Sequence, residues 1–408
     1  MSTGSALMDK FRARMQKAKI STDEEEFEVM YPTGFLALDY LNGTMIHVKS
    51  EKINTSYKSI GIVDGSSNMF IGRSGCGKST LEFQIIGNIA RQFPDALVYI
   101  DDIEGSLPMP RKEFLLGLSE DDIKNRVHFR NTGITTENVY QQIRAIHDIK
   151  IEDRKEFEYD TGLYDTYGKR IFKLVPTIYC IDSFAMLMPD DIVEKEELDN
   201  GMGASGMAKK NTQLIKKISQ LLREANIILF TVNHINDDIQ MGFLPKPAQI
   251  SGLKQGERLP GGKAALYIAN NLFRLDDKGT LKAAEGFGID GNIVDLTLVK
   301  SRTNRNKRAI PLVFNKTEGN FDNILSMFQM IKAEGRIGGA GTHLYFDIAP
   351  DIKFSQKSFK EDLSSNPELQ KAFARVAKEV LEPLLSDTEN KAAEVESFDL
   401  NNAVLSLA

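Results

Sequence analysis

A glycine-rich octapeptide, Gly-Arg-Ser-Gly-Cys-Gly-Lys-Ser, occupies residues 72–79. The apolar segment Met69–Ile71 precedes it, and a segment with helical apolar spacing, Leu81–Ala90, follows it. This order predicts a strand, a tight loop and a helix. Glycines allow successive backbone N–H groups to turn toward one anion, and the helix N-terminus adds a favourable partial charge. The octapeptide therefore predicts a phosphate-binding loop inside an α/β fold.

Such a loop predicts a bound nucleotide together with Mg²⁺. Lys78 is expected to neutralise the β- and γ-phosphates, and the Ser79 hydroxyl is expected to coordinate the metal. A relic loop that keeps the pattern without binding is the alternative. The residues expected to surround the phosphates are Gly72, Arg73, Ser74, Gly75, Cys76, Gly77, Lys78, Ser79 and Thr80.

Acidic residues follow two further predicted strands. Thr177–Ile181 ends in Asp182, the usual position of a residue that holds the water shell of Mg²⁺, and Ala96–Ile100 leads into three more acids, Asp101, Asp102 and Glu104. Ligands of parallel sheets lie beyond the carboxyl ends of the strands, so all four acids are expected near one nucleotide. A carboxylate there can also deprotonate the water that attacks the γ-phosphate. Each acid taken alone is more often a helix cap or a turn residue.

Another predicted strand, Ile227–Val232, ends in Asn233 and His234. Polar groups in this position are well placed to sense a γ-phosphate. A single histidine after a strand is more often structural, so spacing alone leaves the role of His234 open.

The wider pattern from Tyr31 to Asn315 alternates strands and helices, which is typical of an α/β domain with a largely parallel sheet. Apolar residues three to four apart predict a helix over residues 5–18 and one over Asn211–Ala225, and residues 148–174 resemble a surface excursion. The last 90 residues or so change character and predict a small lobe and then a disordered tail. The predicted strands are Met69–Ile71, Ala96–Ile100, Thr177–Ile181, Ile227–Val232 and Ile293–Val299.

Composition favours a protein of the reducing cytoplasm without a membrane partner. The 408 residues contain no run of about 18 apolar residues, and the first 20 residues lack the apolar core of a signal peptide. The two cysteines, Cys76 and Cys180, lie in the loop and in a strand pattern, which argues against a disulfide framework.

Net charge is −6, which argues weakly against a nucleic-acid partner. The charge is uneven, however, because six acids and one lysine lie between Glu382 and Ala408, giving −5 and leaving the rest of the chain near −1. The acidic end of the chain is either a segment that competes with DNA for basic loops or a plain solvated terminus.

The order and spacing of these motifs resemble those of the RecA-type recombinases. Tyr31–Asp39 looks like the segment that precedes the phosphate loop in that family, and Asp102–Glu104 is similar to its D-x-E motif. Ile181–Ser183 matches its Walker B motif. Asn233-His234 and Lys300–Thr303 look like the forms found in UvsX-like phage recombinases. Pro260–Ala264 and Leu363–Leu385 resemble the end of its second DNA loop and its C-terminal lobe, so the likeness covers residues 31–135 and 175–385.

This resemblance implies a RecA-like P-loop ATPase core over residues 31–318. It also implies an N-terminal oligomerisation helix and linker over 1–30, a small C-terminal α+β lobe over 319–385 and an acidic tail over 386–408. In the family the D-x-E glutamate, here Glu104, is the hydrolytic base. The sensor position falls on His234, and the two bases of the K-S-R-T motif, Lys300 and Arg302, are expected to contact the ATP of the neighbouring subunit.

The chain departs from the family at three places. Residues 44–63 and 148–174 are longer than usual. Pro108–Arg111 stands where the family often has an aromatic ring that stacks on adenine. Arg111 is expected to stack on the base through its guanidinium plane instead.

The resemblance also places two loops, Pro189–Met207 and Asn236–Gly261, on the axis of a filament. Glycine and apolar side chains can wedge between bases, while basic side chains and backbone amides hold phosphates. Such loops taken alone are more often unstructured connectors. The candidate DNA-binding residues are Met202, Gly203, Met207, Lys254, Arg258, Gly261 and Gly262.

Together these features predict an ATP-dependent recombinase that forms homo-oligomeric helical filaments on single-stranded DNA and pairs it with homologous double-stranded DNA. The implied setting is the cytoplasm of a bacterium or phage-infected cell, with a single-strand-binding protein and a loader as partners. A ring-shaped helicase of the same fold is one alternative, but it needs an N-terminal partner-binding domain for which about 30 residues leave no room. A non-catalytic paralogue or loader is the other.

Overall fold

The structure, a computed structural model, describes most of the chain. Outside the described residues lie the predicted helix over 5–18, the glycines Gly261 and Gly262, and the tail from residue 388. The described ranges are 28–50, 53–105, 107–165, 168–194, 202–237, 252–260, 266, 269–284, 286–302 and 308–387.

Strands and helices are numbered here in chain order. The strands are β1 (Met30–Tyr31), β2 (Thr44–Lys49), β3 (Asn54–Ser59), β4 (Ile62–Val63), β5 (Ser67–Gly72), β6 (Val98–Asp102), β7 (Val127–Arg130), β8 (Glu158–Tyr164), β9 (Arg170–Leu174), β10 (Thr177–Asp182), β11 (Ile227–His234), β12 (Asn236–Asp237), β13 (Glu257–Arg258), β14 (Asn271–Leu281), β15 (Gly291–Ser301), β16 (Ala309–Asn315), β17 (Asn320–Asp322), β18 (Ile337–Gly338), β19 (Tyr345–Phe346) and β20 (Ser386–Asp387). The helices are α1 (Leu36–Asn42), α2 (Lys78–Gln92), α3 (Met109–Leu116), α4 (Glu120–Arg126), α5 (Thr136–Glu152), α6 (Arg154–Phe157), α7 (Asp190–Val193), α8 (Met202–Glu224), α9 (Asn323–Ala333), α10 (Phe359–Ser365) and α11 (Pro367–Leu381).

A nine-stranded sheet of order β17-β16-β15-β14-β5-β11-β10-β6-β7 forms the centre of the protein. From β14 to β7 neighbouring strands run parallel, whereas β15, β16 and β17 continue the sheet antiparallel. Strands β5 and β10 are buried along their whole length, as expected for parallel strands covered on both faces. The prediction of an α/β core with a mostly parallel sheet is confirmed. The five predicted strand segments fall in strands of this sheet, except that Ala96 and Leu97 precede β6.

Helices pack on both faces of the sheet. On one face α2 contributes Leu81 and Phe83 to a large apolar cluster, and on the other α8 contributes Leu214 and Ile218 to a second cluster. The predicted helix over Asn211–Ala225 is present within α8, which begins nine residues earlier, at Met202. That earlier start places the end of the first predicted DNA loop in a helix, so this part of the loop prediction is wrong.

The boundary predicted at residue 318 falls between β16 and β17. Residues 320–322 form β17, the edge strand of the central sheet, and Gln84 on α2 exchanges two hydrogen bonds of 3.0 and 2.8 Å with the backbone of Phe321. The apolar cluster on this face continues through α9 and α11 as far as Leu384. The C-terminal helices therefore share a core with the sheet.

The two unusually long segments lie against each other. Strands β2 and β3, in the first long segment, pair antiparallel, as do strands β8 and β9, in the second. The Tyr57 hydroxyl donates to the carbonyl of Tyr164 at 3.2 Å, and Lys173 forms a buried ion pair of 2.6 Å with Asp64. These contacts attach both long segments to the α/β core.

Within the part of the chain that the structure describes, no helix is both long and apolar enough to cross a membrane.

Candidate nucleotide site

The glycine-rich loop joins β5 to α2, as predicted. Gly77 directly precedes the helix with a left-handed φ of 87°, and a β-carbon there would lie 2.7 Å from the ring of Phe321. Glycine is therefore required at this position by backbone conformation and by space. Gly75 also has a positive φ, of 78°, and no other atom lies within 4 Å of its β-carbon position. The loop leaves the first N–H groups of a fifteen-residue helix unpaired within that helix, which suits an anion.

Lys78 folds back over the loop. Its side chain is buried, and its Nζ donates to the carbonyl of Arg73 at 2.9 Å. Burial lowers the pKa of Lys78, while the carboxylates of Asp182 and Glu104 act in the opposite direction. A bound triphosphate would act in the same sense as these carboxylates and favour the charged lysine.

A chain of polar contacts links Lys78 to two strand ends. Lys78 Nζ lies 3.4 Å from His234 Nδ1, and His234 Nε2 lies 2.8 Å from Glu104 Oε1. An ammonium group can only donate, so Nδ1 accepts and Nε2–H donates to the Glu104 carboxylate. Strand register explains the arrangement, because His234 is paired with Gly72 across β11 and β5.

The three acids after β6 have different partners. Asp101 accepts two hydrogen bonds from Arg130, at 2.8 and 2.7 Å, and one from the Tyr179 hydroxyl at 2.6 Å. Asp102 forms an ion pair with the buried Lys112 and also accepts from the backbone N–H of Gly105. Successive strand residues point to opposite faces, which sends Asp101 and Asp102 to different layers.

Of these three acids, Glu104 contacts His234, which in turn contacts Lys78 of the loop. Its side chain is 23% exposed and that of His234 is 28% exposed, so both are accessible from the loop side without being fully solvated. Arg130 holds Asp101 and Lys112 holds Asp102, although Asp102 is still paired with Asp182 across β6 and β10.

Asp182 lies at the end of β10, beside Ser79. Burial raises the pKa of Asp182 to about 6, as do the nearby charges of Glu104 and Asp102, whereas a hydrogen bond from the Ser79 hydroxyl acts to lower it. Its Oδ1 is buried and has no hydrogen-bond partner among the described groups. An orphaned carboxylate oxygen beside a hydroxyl fits a hydrated Mg²⁺.

No cluster of three or more His, Cys, Asp or Glu side chains arranged to hold a metal occurs among the residues described here. A Mg²⁺ held by one hydroxyl, water and phosphate oxygens does not require such a cluster. Ser79 and Asp182 therefore remain the predicted residues for this ion.

Arg111 packs against the turn between β16 and β17. Its Nη1 donates to the carbonyl of Glu318 at 3.4 Å, and a β-carbon on Gly319 would lie 2.6 Å from its guanidinium. The guanidinium also lies 5.2 Å from the ring centre of Phe114. The next strand, β17, carries Phe321, whose ring lies against Gly77 of the loop.

Lys300, on β15, and Arg302, which follows that strand, lie toward the end of β5 that is opposite to the loop. Lys300 is paired with Leu272 at the start of β14, and Leu272 is paired with Met69 near the start of β5, whereas the loop follows the end of β5. Burial and the nearby Arg302 charge lower the pKa of Lys300, whose Nζ donates to the carbonyl of Leu266 at 3.0 Å. The register therefore places Lys300 level with a residue three positions before Gly72, the first residue of the loop.

The predicted DNA residues are spread over several environments. Met202, Gly203 and Met207 belong to the first turns of α8, and Arg258 is exposed on β13, opposite Asn236. Lys254 is paired with Asp276 at 3.2 Å, although its side chain is 66% exposed. Asn233 donates to the carbonyl of Pro260 at 3.0 Å and so links the sensor strand to the far end of the second predicted DNA loop.

Sequence reasoning missed the residues that hold these groups in place. They are Asp237, which pairs with Arg73, Arg274, which pairs with Glu257, and Lys112 and Arg130, which hold the two acids of β6. Only Arg274 had a local signal, because Asp276 lies two residues along the same strand and bonds to it at 2.8 Å.

No protein-family model matches the chain, and no curated protein matches its sequence.

Proposed function

We propose that the protein is an ATP-dependent recombinase that assembles on single-stranded DNA and pairs it with homologous duplex DNA. The observation that carries this proposal is the chain of contacts from Lys78 through His234 to Glu104, which joins the phosphate loop to two strand ends. This arrangement supplies a cation for the γ-phosphate and a carboxylate for water activation within one cluster.

In the proposed reaction, Lys78 and the helix N-terminus bind the triphosphate. Glu104 orients the attacking water and accepts its proton, while His234 holds the Glu104 carboxylate through Nε2–H. Ser79 and Asp182 would hold Mg²⁺, which supplies charge neutralisation on the phosphate oxygens when bound. Arg111 would lie against the base.

The place of Lys300 and Arg302 favours action between subunits. The register places Lys300 level with Met69, in the first half of β5, whereas the loop follows the end of that strand. Burial and the nearby Arg302 charge lower the pKa of Lys300, so an added anion would favour its charged form. A neighbour's triphosphate would supply that anion and link ATP binding to assembly.

The DNA part of the proposal depends on the residues that follow β11. His234 contacts Glu104, and Asn236 and Asp237, two and three residues later, begin the second predicted DNA loop. The conformation of the second predicted DNA loop and the contacts of His234 with the γ-phosphate would therefore be linked through residues 234–237. Phosphate contacts from Arg258 would hold the strand without reading its sequence, so homology would be read by base pairing.

Negative-stain images of the protein with single-stranded DNA and a non-hydrolysable ATP analogue test this proposal. Helical filaments are expected. Closed rings would favour the helicase alternative, and the absence of assemblies in the presence of bound DNA would favour the non-catalytic alternative.

We expect Arg258→Ala to weaken single-strand binding and to lower the slope of log affinity against log salt by about 0.7, the value for one phosphate of a single strand. Fluorescence anisotropy with a labelled oligothymidylate over a series of salt concentrations measures both. Lys278→Ala is the control, because it removes one exposed charge from the β14–β15 hairpin. An unaltered slope for Arg258→Ala would remove Arg258 from the DNA interface.

The double variant Lys300→Ala with Arg302→Ala should fold and bind nucleotide but lose DNA-stimulated hydrolysis and cooperative assembly. Mixing it with Glu104→Gln protein is then expected to restore part of the ATPase activity. A mixed interface can pair an intact Glu104 from one subunit with intact bases from the other. If the two variants co-assemble and no mixing ratio restores turnover, the action of these bases between subunits is refuted.

A further inference from the structure

An ion pair connects the phosphate loop directly to the start of the second predicted DNA loop. Arg73, the second residue of the phosphate loop, donates to Asp237 through both guanidinium arms, with Nη2–Oδ1 at 2.5 Å and Nη1–Oδ2 at 3.3 Å. The two residues are 164 positions apart in sequence. Their side chains are 60% and 65% exposed, so the pair is open to solvent and to ligands.

Asp237 belongs to a short antiparallel ladder, β12–β13. In this ladder Asp237 is paired with Glu257, and Asn236 is paired with Arg258. The chain between the two strands is the main part of the second predicted DNA loop. A displacement of Asp237 would therefore be passed to Arg258, the candidate phosphate contact on the opposite strand.

The other side of the ladder is anchored more firmly. Arg274 donates to both carboxylate oxygens of Glu257, at 2.6 and 2.8 Å, and the two side chains are only 6% and 7% exposed. Arg274 lies on β14, which pairs with β5 beside the phosphate loop. It also donates to the carbonyl of Gly252 at 2.9 Å.

The Arg73–Asp237 pair is exposed, whereas the Arg274–Glu257 pair is buried. A buried bidentate pair resists exchange, because breaking it leaves an uncompensated charge out of water. An exposed pair contributes little to stability and exchanges readily with a competing anion. The Glu257 side of the ladder is thus a fixed point, and the Asp237 side is a replaceable one.

We propose that Asp237 is a positioning residue that couples nucleotide binding to the second DNA loop by competing with a bound phosphate for the guanidinium of Arg73. When a phosphate binds Arg73, β12 loses its attachment to the phosphate loop. The Asn236–Arg258 pair is then free to open against β13, which Arg274 holds through Glu257. This inference rests on the proposed function, because it uses the same phosphate loop and the same DNA loop.

The test compares the wild type with Asp237→Asn, which removes the charge at almost constant size, and with Asp237→Glu, which keeps it. Asp277→Asn is the matched control, since Asp277 lies on the β14–β15 hairpin and accepts from Asn292 and the N–H of Gly279. Two quantities are measured for each protein. One is the affinity for a fluorescent ATP analogue without DNA. The other is the factor by which a non-hydrolysable analogue changes the affinity for labelled oligothymidylate.

For Asp237→Asn we expect two- to fivefold tighter nucleotide binding without DNA, because a competitor has been removed, and a three- to fivefold smaller coupling factor. Fold-changes of this size match the modest contribution of one exposed ion pair. Asp237→Glu should remain within twofold of the wild type, and so should the control. A role in folding alone would not produce tighter nucleotide binding.

If Asp237→Asn matches the wild type in both quantities, or if it binds nucleotide more weakly, this inference is overturned while the proposed function stands. A wild type that binds both ligands without any coupling also overturns this inference alone. A wild type that binds no nucleotide overturns both.

Discussion

Replacing Lys78 with Ala should lower the affinity for ATP by about 30- to 100-fold, the scale for losing a hydrogen bond to a charged group, and should abolish ATP-dependent assembly on single-stranded DNA. Lys78 is the buried cation of the phosphate loop, and its Nζ is held above the loop by the carbonyl of Arg73. Without it, the γ-phosphate would meet the Glu104 and Asp182 carboxylates with no ammonium between them.

A fluorescent nucleotide titration and anisotropy with labelled DNA measure the two effects of Lys78→Ala. Lys371→Ala, on the exposed side of α11, serves as the control for loss of one lysine charge. Thermal denaturation checks that both variants remain folded. Unchanged nucleotide affinity and assembly in folded Lys78→Ala protein would refute the assignment of this loop as the phosphate site.

The second large effect is expected for Glu104→Gln. ATP and DNA binding should be retained, while turnover should fall by about 10²-fold or more, which is the usual scale for loss of a general base. The amide keeps the size of the side chain and can still accept from His234 Nε2–H through its oxygen, so the site should keep its shape. Steady-state ATPase assays with and without DNA give the measurement.

Asp101→Asn and Asp102→Asn provide the comparison for Glu104→Gln. Each weakens a partly or fully buried ion pair, with Arg130 or Lys112, so each should lower the melting temperature more than Glu104→Gln does. Should either of them lose turnover selectively while Glu104→Gln remains active, the base would be one of these two acids instead.

Much of the site could be predicted because its positions follow from the strand order. A glycine-rich loop after one strand, with polar residues at the ends of others, predicts a single edge of a parallel sheet, and His234 indeed lies beside Gly72 by register. The same logic predicted the α/β core and the five strands. These predictions depend on local patterns of glycine, apolar and polar residues, which are visible in a single sequence.

The remaining features depend on contacts between distant residues. Glu82 falls in a segment that resembles an ordinary amphipathic helix, yet it is completely buried, and burial raises its pKa well above the usual value. Arg73 and Asp237 are 164 residues apart, and only the packing of β12 beside the loop brings them together. The partners of Asp101 and Asp102 are hidden for the same reason, since they come from β7 and α3.

The start of α8 shows that residue propensity alone does not locate the beginning of a helix. Glycine at positions 201, 203 and 206 predicts a loop from propensity, yet the helix begins at Met202. Burial of the apolar side of α8 in the second apolar cluster overrides the intrinsic cost of glycine, and Lys210 adds ion pairs with Glu137 and Asp191, at 3.0 and 2.7 Å.

A strand-exchange assay tests the central claim most directly. Purified protein is incubated with circular single-stranded DNA, Mg²⁺, ATP and a linear duplex that is either homologous or unrelated, and joint molecules are separated on a gel. We predict joint molecules with the homologous duplex only, dependent on ATP and absent with Lys78→Ala. Binding of the single strand without joint molecules, or unwinding of the unrelated duplex, would contradict the account.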